Sequence, residues 1–294
     1  MTNLVKRILV GLVGIPLALA TIYAGGWFFA AALIILTTLA LRELYGLAGS
    51  KHSTPNVILG LIWSAVIQLD IARGMITGPG GMGAFSAAYV VGIMLLLGTV
   101  VTLAVELFRN RENAFLNVAL TVFGVCYVTL PLSCLMVLRY STEKMFVGSW
   151  GDFGTSLVVT VFVAIWAADS VAYFVGMKFG KHKLLPRISP KKSWEGAIGG
   201  LVGSVAAFVG MAMFVLPQLD VTIAALCGAL IGIVGPFGDF AESLLKRDAV
   251  VKDSGQLLPG HGGVLDRFDS MLFAAPLVTV IVYFDNVLRL FVPW

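Results

Sequence analysis

A helix needs about 20 consecutive apolar residues to cross the hydrocarbon core of a bilayer, and only segments that satisfy their own backbone hydrogen bonds can stand there. Nine stretches of this chain meet or approach that length: Ile8 to Ala24, Trp27 to Leu47, Val57 to Ile71, Ala87 to Phe108, Phe115 to Leu138, Ser156 to Met177, Ala197 to Leu216, Ile223 to Leu245 and Met271 to Leu290. The prediction is an all-α, polytopic integral membrane protein of about nine transmembrane helices. The third stretch is the weakest, being short and ending at Asp70. Only 12% of the 294 residues are charged, about half the share of a soluble domain.

Lys6 and Arg7 precede the first run, and Ala18-Leu19-Ala20 imitates a signal-peptidase site. The apolar run continues through Tyr23 and another follows almost at once, so the first span is read as uncleaved. With the N-terminus in the cytoplasm, only Arg73, Arg139, Lys144 and Arg289 of the 20 Lys and Arg residues fall on the far side. That asymmetry puts the C-terminus outside and the loops around Lys178 to Lys192 and Ser243 to Asp269 in the cytoplasm. The net charge of +4 is spread between spans and forms no continuous basic patch, which argues for phosphate and anionic lipid and against nucleic acid. Cys126, Cys134 and Cys227 lie inside apolar runs and read as small hydrophobes. The glycine-rich turn at 77–83 lacks the Lys-Ser/Thr and the preceding strand of a phosphate loop. Small residues at four-residue spacing, Gly196, Gly200 and Ser204, Gly199 and Gly203, and Gly228 and Gly232, are expected to pack helices closely.

Against this apolar background, Ser243 to Asp269 gathers Lys246, Arg247, Asp248, Lys252, Asp253, His261, Asp266, Arg267 and Asp269 between two hydrophobic runs. A charge at the centre of a membrane helix costs about 2.5 to 3.5 kcal/mol even on lenient scales, so such crowding marks a functional site. Carboxylates suit a hard cation such as Mg2+, Lys and Arg suit phosphate oxygens, and Gly255, Gly260, Gly262 and Gly263 let backbone N–H groups approach an anion.

Asp239, Glu242, Ser243 and Lys246 share one helical face in the eighth span. Glu242 and Lys246 have the spacing of a structural ion pair, whereas Asp239, deeper and beside Gly235 and Gly238, is read as a metal ligand. Asp266, Arg267 and Asp269 open the ninth span, where one carboxylate would suffice to cap the helix. Asp266 is read as the second metal ligand, and Asp269 is left between supporting it and pairing with Arg267. Ser189, Lys191, Lys192, Ser193 and Glu195 precede a glycine-rich helix start, an arrangement suited to holding phosphates. His52 and His182 are read as doing no chemistry. His261, between glycines, is the better candidate, although a loop histidine is more often a hydrogen-bonding group.

The segments Ser243-x-Leu245-Lys246-Arg247, Lys252-Asp253-x-Gly255, Leu258-Pro259-x-His261-Gly262-Gly263 and Asp266-Arg267-x-Asp269 together resemble the signature of the phosphatidate cytidylyltransferases, or CDP-diacylglycerol synthases. Asp169-Ser170 with Tyr173, and Ser189-Pro190-Lys191-Lys192-Ser193-x-Glu195-Gly196, are similar to further motifs of that family. The resemblance is strong from Trp166 to Asp269. It implies a helical membrane enzyme, often a homodimer, that joins CTP to phosphatidate with release of pyrophosphate. It also implies a metal centre on Asp239 and Asp266, Mg2+ with or without K+. Lys246, Arg247, Lys252, Asp253, His261, Arg267 and Asp269 would complete the catalytic set. Asp169, Tyr173, Ser189, Lys191, Lys192, Ser193, Glu195, Ser243, Gly262 and Gly263 would contact substrate. Residues 1–150 would then be scaffold or oligomer contact, and 151–294 the catalytic part.

The chemistry of the residues agrees. A phosphomonoester with a second pKa of about 6 is largely dianionic at neutral pH, so phosphatidate can attack the α-phosphorus of CTP without a general base. Catalysis then reduces to bringing polyanions together and stabilising the departing pyrophosphate. Two other readings compete: a CTP-using polyprenol kinase, which would transfer the γ-phosphoryl group, and a transporter of phosphorylated substrates. The gathering of charge at one membrane face, with no visible inverted repeat, speaks against the transporter.

Overall fold

The computed structural model describes residues 3–49, 53–77, 84–140, 147–148, 151–255, 257 and 262–291. The expected spans fall on helices α1 (Asn3–Ala24), α2 (Gly26–Gly49), α3 (Val57–Thr77), α4 (Ala84–Arg109), α5 (Ala114–Gly124) with α6 (Leu130–Tyr140), α7 (Phe153–Phe179), α8 (Trp194–Val215), α9 (Val221–Asp248) and α10 (Leu265–Phe291). A π-helical turn, Val125–Thr129, joins α5 to α6 within one span. Eight helices among the described residues are long and apolar enough to cross a membrane, against nine expected. The remaining one is α1, whose searched part, Val10–Ala24, is apolar but shorter. The protein is therefore a polytopic, all-α membrane protein.

Two departures from the sequence reading stand out. The weak third span does not stop at Ile71: α3 runs on to Thr77 and takes Asp70 and Arg73 within it. The basic stretch after α7 is no plain loop. Its strands β3 (Lys183–Leu185) and β4 (Ser189–Ser193) form an antiparallel hairpin, pairing Lys183 with Ser193 and Leu185 with Ser189. A second ribbon, β1 (Val147–Gly148) with β2 (Gly151–Asp152), lies just before α7.

The chain divides into two compact units, Met1–Val137 with Leu245–Phe268, and Leu138–Leu244 with Asp269–Trp294. In the first, polar groups inside the helices find each other, as they must where lipid offers no hydrogen bonds. Gln68 donates to Thr37 at 2.8 Å, Thr129 to Ser64 at 2.8 Å, and the Tyr45 hydroxyl to the Thr121 carbonyl at 2.8 Å. Tyr45 fits only because Gly60 and Gly124 carry no Cβ, which would come within 2.3 and 2.4 Å of its side chain. At the end of α4, buried Glu106 takes Arg109 and the amide of Asn117, both at 2.7 Å.

The second unit is held by the small residues singled out in the sequence, and their role is the expected close packing. A Cβ on Gly199 or Gly203 would lie 2.8 Å from Val175 or Val171 of α7, and one on Gly200 would lie 3.0 Å from the Ala168 carbonyl. Gly228 and Gly232 set α9 equally close to Val205 and Leu201 of α8. Asp152 caps α7 by accepting from the Thr155 N–H at 2.7 Å, and the same oxygen binds buried Arg139 at 2.9 Å. Ser193 caps α8 by accepting from the Gly196 N–H.

Candidate active site

The charged residues form one cluster in each unit. In the Leu138–Leu244 unit the centre is Asp239 on α9. Its Oδ1 accepts from the Ser243 hydroxyl one turn later at 3.1 Å, and its Oδ2 pairs with Lys192 Nζ at 2.5 Å. Lys192 comes from β4 and lies 4.7 Å over the Phe240 ring, so the hairpin aims this ammonium and an aromatic face steadies it. Glu242 is fully buried on the same helix. Asp269 in α10 lies within electrostatic reach of Asp239 and Asp169 and shares a side-chain hydrogen bond with Glu242, and its backbone carbonyl sits 2.2 Å from where a Cβ on Gly238 would fall. Carboxyl oxygens of Asp239, Asp169, Glu242 and Asp269 gather here beside the Lys192 ammonium, hard oxygen donors of the kind a divalent cation takes. Among the described residues no three carboxylate, imidazole or thiolate groups converge as a closed cage. Mg2+ is ordinarily held by one or two carboxylates, with phosphate oxygens and water completing its octahedron.

In the Met1–Val137 unit the centre is Asp266. Its Oδ1 pairs with Lys246 Nζ at 2.5 Å, while its Oδ2 accepts from the Ser254 N–H at 3.0 Å, the Ser254 hydroxyl at 2.9 Å and the Gly263 N–H at 2.7 Å. Gly262 is needed twice over: its φ of +81° lies in the left-handed region, and a Cβ there would come within 2.6 Å of Asp266 Oδ2. Gly263 does let its backbone N–H meet an anion, but the anion met is the protein's own Asp266 carboxylate, and Gly260 lies outside the described residues.

One of those carboxylates was not among the sequence candidates. Glu43 of α2 accepts from the Val264 N–H at 2.9 Å, the Leu265 N–H at 2.9 Å and the Ser254 hydroxyl at 3.0 Å. Its only sequence signal is a carboxylate inside an apolar run, beside Arg42. The N-terminal helices are therefore not inert around this cluster.

The other candidates are placed as follows. Glu195 accepts from the His182 ring at 2.7 Å and from the backbone N–H groups of Lys181 and His182, which ties the hairpin to α8. Ser193 is buried at its cap position and Ser189 is half-buried in β4, while Lys191 is exposed. Asp169 and Tyr173 are exposed on α7, Tyr173 lying edge-on to Phe174. Arg247, Lys252, Asp253 and Arg267 are exposed, with Arg247 donating to the Val251 carbonyl at 3.2 Å. Asp248 ends α9 in the open. The candidate His261 lies outside the described residues.

Comparison with known proteins places these clusters in context. A family model described as the cytidylyltransferase family matches residues 5–285. The chain belongs to that family. It is 35% identical over 291 residues to a phosphatidate cytidylyltransferase of Synechocystis sp., covering 93% of this chain and 94% of that protein. It is 32% identical over 281 residues to one of Bacillus subtilis, covering 95% and 97%, and 37% identical over 194 residues to one of Thermotoga maritima, covering 64% and 67%. The family match begins far upstream of Trp166, where the legible motifs start, and so takes in α2 and Glu43.

Proposed function

We propose that this chain transfers the cytidylyl group of CTP to phosphatidate, forming CDP-diacylglycerol and pyrophosphate. The observation that carries this reading is the Asp239 cluster: an excess of carboxylate oxygens beside an ammonium held by a folded hairpin, on helices embedded in lipid. Such a site can take a metal–triphosphate and, because the diacyl substrate stays in the bilayer, receive its headgroup laterally.

The family resemblance supports Asp239 and Asp266 each offering a carboxylate oxygen to metal, Mg2+ with or without K+. A bound Mg2+ would neutralise phosphate charge and lower the cost of the developing pyrophosphate. The residues of the chain supply the rest. Lys192, with Lys191 beside it, offers ammonium groups to phosphate oxygens, and the exposed Arg247, Lys252 and Arg267 offer further positive charge. Ser243 orients Asp239 by its hydrogen bond, and Lys246 holds Asp266 in one rotamer. The attacking phosphate needs no base, so neither Asp253 nor His261 is assigned a proton transfer. The lysine and arginine asymmetry supports a cytoplasmic location for the loops around Lys178 to Lys192 and Ser243 to Asp269, where CTP is available. Association as a homodimer rests on the family resemblance alone.

Purified protein incubated with labelled CTP, Mg2+ and phosphatidate should yield labelled CDP-lipid and unlabelled lipid-free pyrophosphate when the label is in the cytidine. Formation of CDP and a phosphorylated lipid instead would assign a kinase, and phosphate flux into vesicles without turnover would assign a transporter.

A further inference from the structure

Glu43 is costly where it stands. It lies near the end of an apolar helix, and a carboxylate there is retained only if its charge is matched by donors. The donors it finds are specific. Val264 and Leu265 straddle the start of α10, and their N–H groups are among those that a helix leaves without an intrahelical acceptor. Glu43 accepts both, one on each oxygen, and so caps α10 from a helix more than 200 positions earlier in the chain. The third donor, the Ser254 hydroxyl, lies 3.0 Å from Glu43 Oε2 and 2.9 Å from Asp266 Oδ2. A hydroxyl carries one proton, so Ser254 donates to one carboxylate at a time or shares that proton between them, and the two compete for it.

The glycines around Glu43 fit the same reading. A Cβ on Gly255 would fall 2.5 Å from Glu43 Oε1, 2.8 Å from Cδ and 3.1 Å from Cγ, and the three nearest atoms all belong to Glu43. The φ of Gly255 is not in the left-handed region, so its backbone conformation would accept alanine. What demands glycine there is the carboxylate. Gly263 meets Glu43 Oε2 at 2.3 Å in the same way, together with the Ser254 hydroxyl.

We infer that Glu43 is a positioning residue: it fixes Ser254 and the first turn of α10, and through them the orientation of Asp266 and its partner Lys246. The inference rests on the reading of Asp266 and Lys246 as part of the cytidylyl-transfer site. Glutamine keeps the size of the side chain but presents an N–H2 group toward backbone donors, so Glu43→Gln should free at least one of the three.

The test measures hydrogen–deuterium exchange of the 262–270 peptide, apparent melting temperature, and Mg2+-dependent formation of CDP-lipid, on the full chain in detergent. In Glu43→Gln the 263–265 amides should exchange about tenfold faster while peptides from α2 and α3 keep their rates. Turnover should fall on the order of 10²-fold, the usual consequence of a misplaced catalytic group. Glu43→Asp, which keeps the charge, should recover part of both. A merely stabilising glutamate would instead lower the melting temperature and loosen α2 and α3 together. Unchanged exchange and turnover in Glu43→Gln would overturn the inference.

A second arm holds even where Glu43→Gln fails to fold. Gly255→Ala in the otherwise unaltered chain should speed exchange at 263–265 and lower turnover, and the same change in a Glu43→Ala background should add little, since the atom it collides with is gone. Equal effects in both backgrounds, or no effect in the first, would refute the role of Glu43. If the parent forms no CDP-lipid while Glu43→Gln still loosens 263–265, the assigned reaction fails and the capping of α10 by Glu43 stands.

Discussion

Replacing Asp266 and Asp239 by asparagine should separate two roles that look alike in the sequence. In Asp266→Asn the single remaining acceptor oxygen can serve either the donors of Ser254 and Gly263 or the ammonium of Lys246, never both. Whichever way the amide turns, its N–H2 faces donors. The Lys246 and Asp266 side chains are only 11% and 6% exposed, and leaving one member of a buried ion pair without its partner costs about 3 to 5 kcal/mol. The Lys192 and Asp239 side chains are 32% and 35% exposed, and a pair so open to solvent contributes at most about 1 kcal/mol. Asp239→Asn should therefore melt close to the parent in detergent, whereas Asp266→Asn should melt clearly lower. Adding Lys246→Met to Asp266→Asn removes the ammonium that faced Asp266 and should recover part of the loss in melting temperature, with no recovery of activity. Mg2+-dependent CDP-lipid formation should drop by about 10²- to 10³-fold in both single variants. Equal melting of the two would refute the contrast in burial, and near-normal turnover in either would remove that aspartate from the metal centre.

Three further outcomes follow from the structure. A reporter fused after Trp294 should lie outside the cytoplasm and one inserted near Lys183 inside it; finding both on one side would mean that one of α8, α9 and α10 does not cross the bilayer. Lys192→Gln should raise KM for CTP or phosphatidate more than Lys191→Gln does, because Lys192 is held against Asp239 and Phe240 while Lys191 is exposed, and steady-state kinetics in mixed micelles read the difference. Val250→Gly should raise the apparent melting temperature, by an amount corresponding to about 1 kcal/mol. Val250 follows α9 at φ +59°, a β-branched residue where glycine is at ease, and at 90% exposure it gives up no packing.

The helices were legible because lipid imposes a length and a composition that hydropathy reads directly. Helix ends were less so. Asp70 looked like the close of a span, yet α3 accommodates it because a helix backbone continues through a charge as long as its own i to i−4 bonds are intact. The hairpin at 183–193 left no period-2 pattern: its strands are three and five residues long, mostly polar, and interrupted by Pro190. The motif residues were visible as an excess of charge, and the structure divides them by task. Ser193 and Glu195, expected to touch substrate, brace the hairpin and the start of α8. Glu43 escaped notice because its partners lie 211 to 222 positions away and no local pattern points to them.

That separation bears on how the chain is made. Ribosomes add about 5 to 20 residues per second, so some 10 to 40 s pass between the emergence of Glu43 and that of Ser254, the first of its donors. Through that interval α2 must reside in or beside the bilayer with a carboxylate whose eventual partners do not yet exist. Water, lipid headgroups or the insertion machinery have to solvate it meanwhile. A chain halted just before residue 254 keeps that carboxylate without these partners for good, even though its first eight spans, through α9, have been made, and so carries a built-in mark by which quality control can tell an unfinished copy from a finished one.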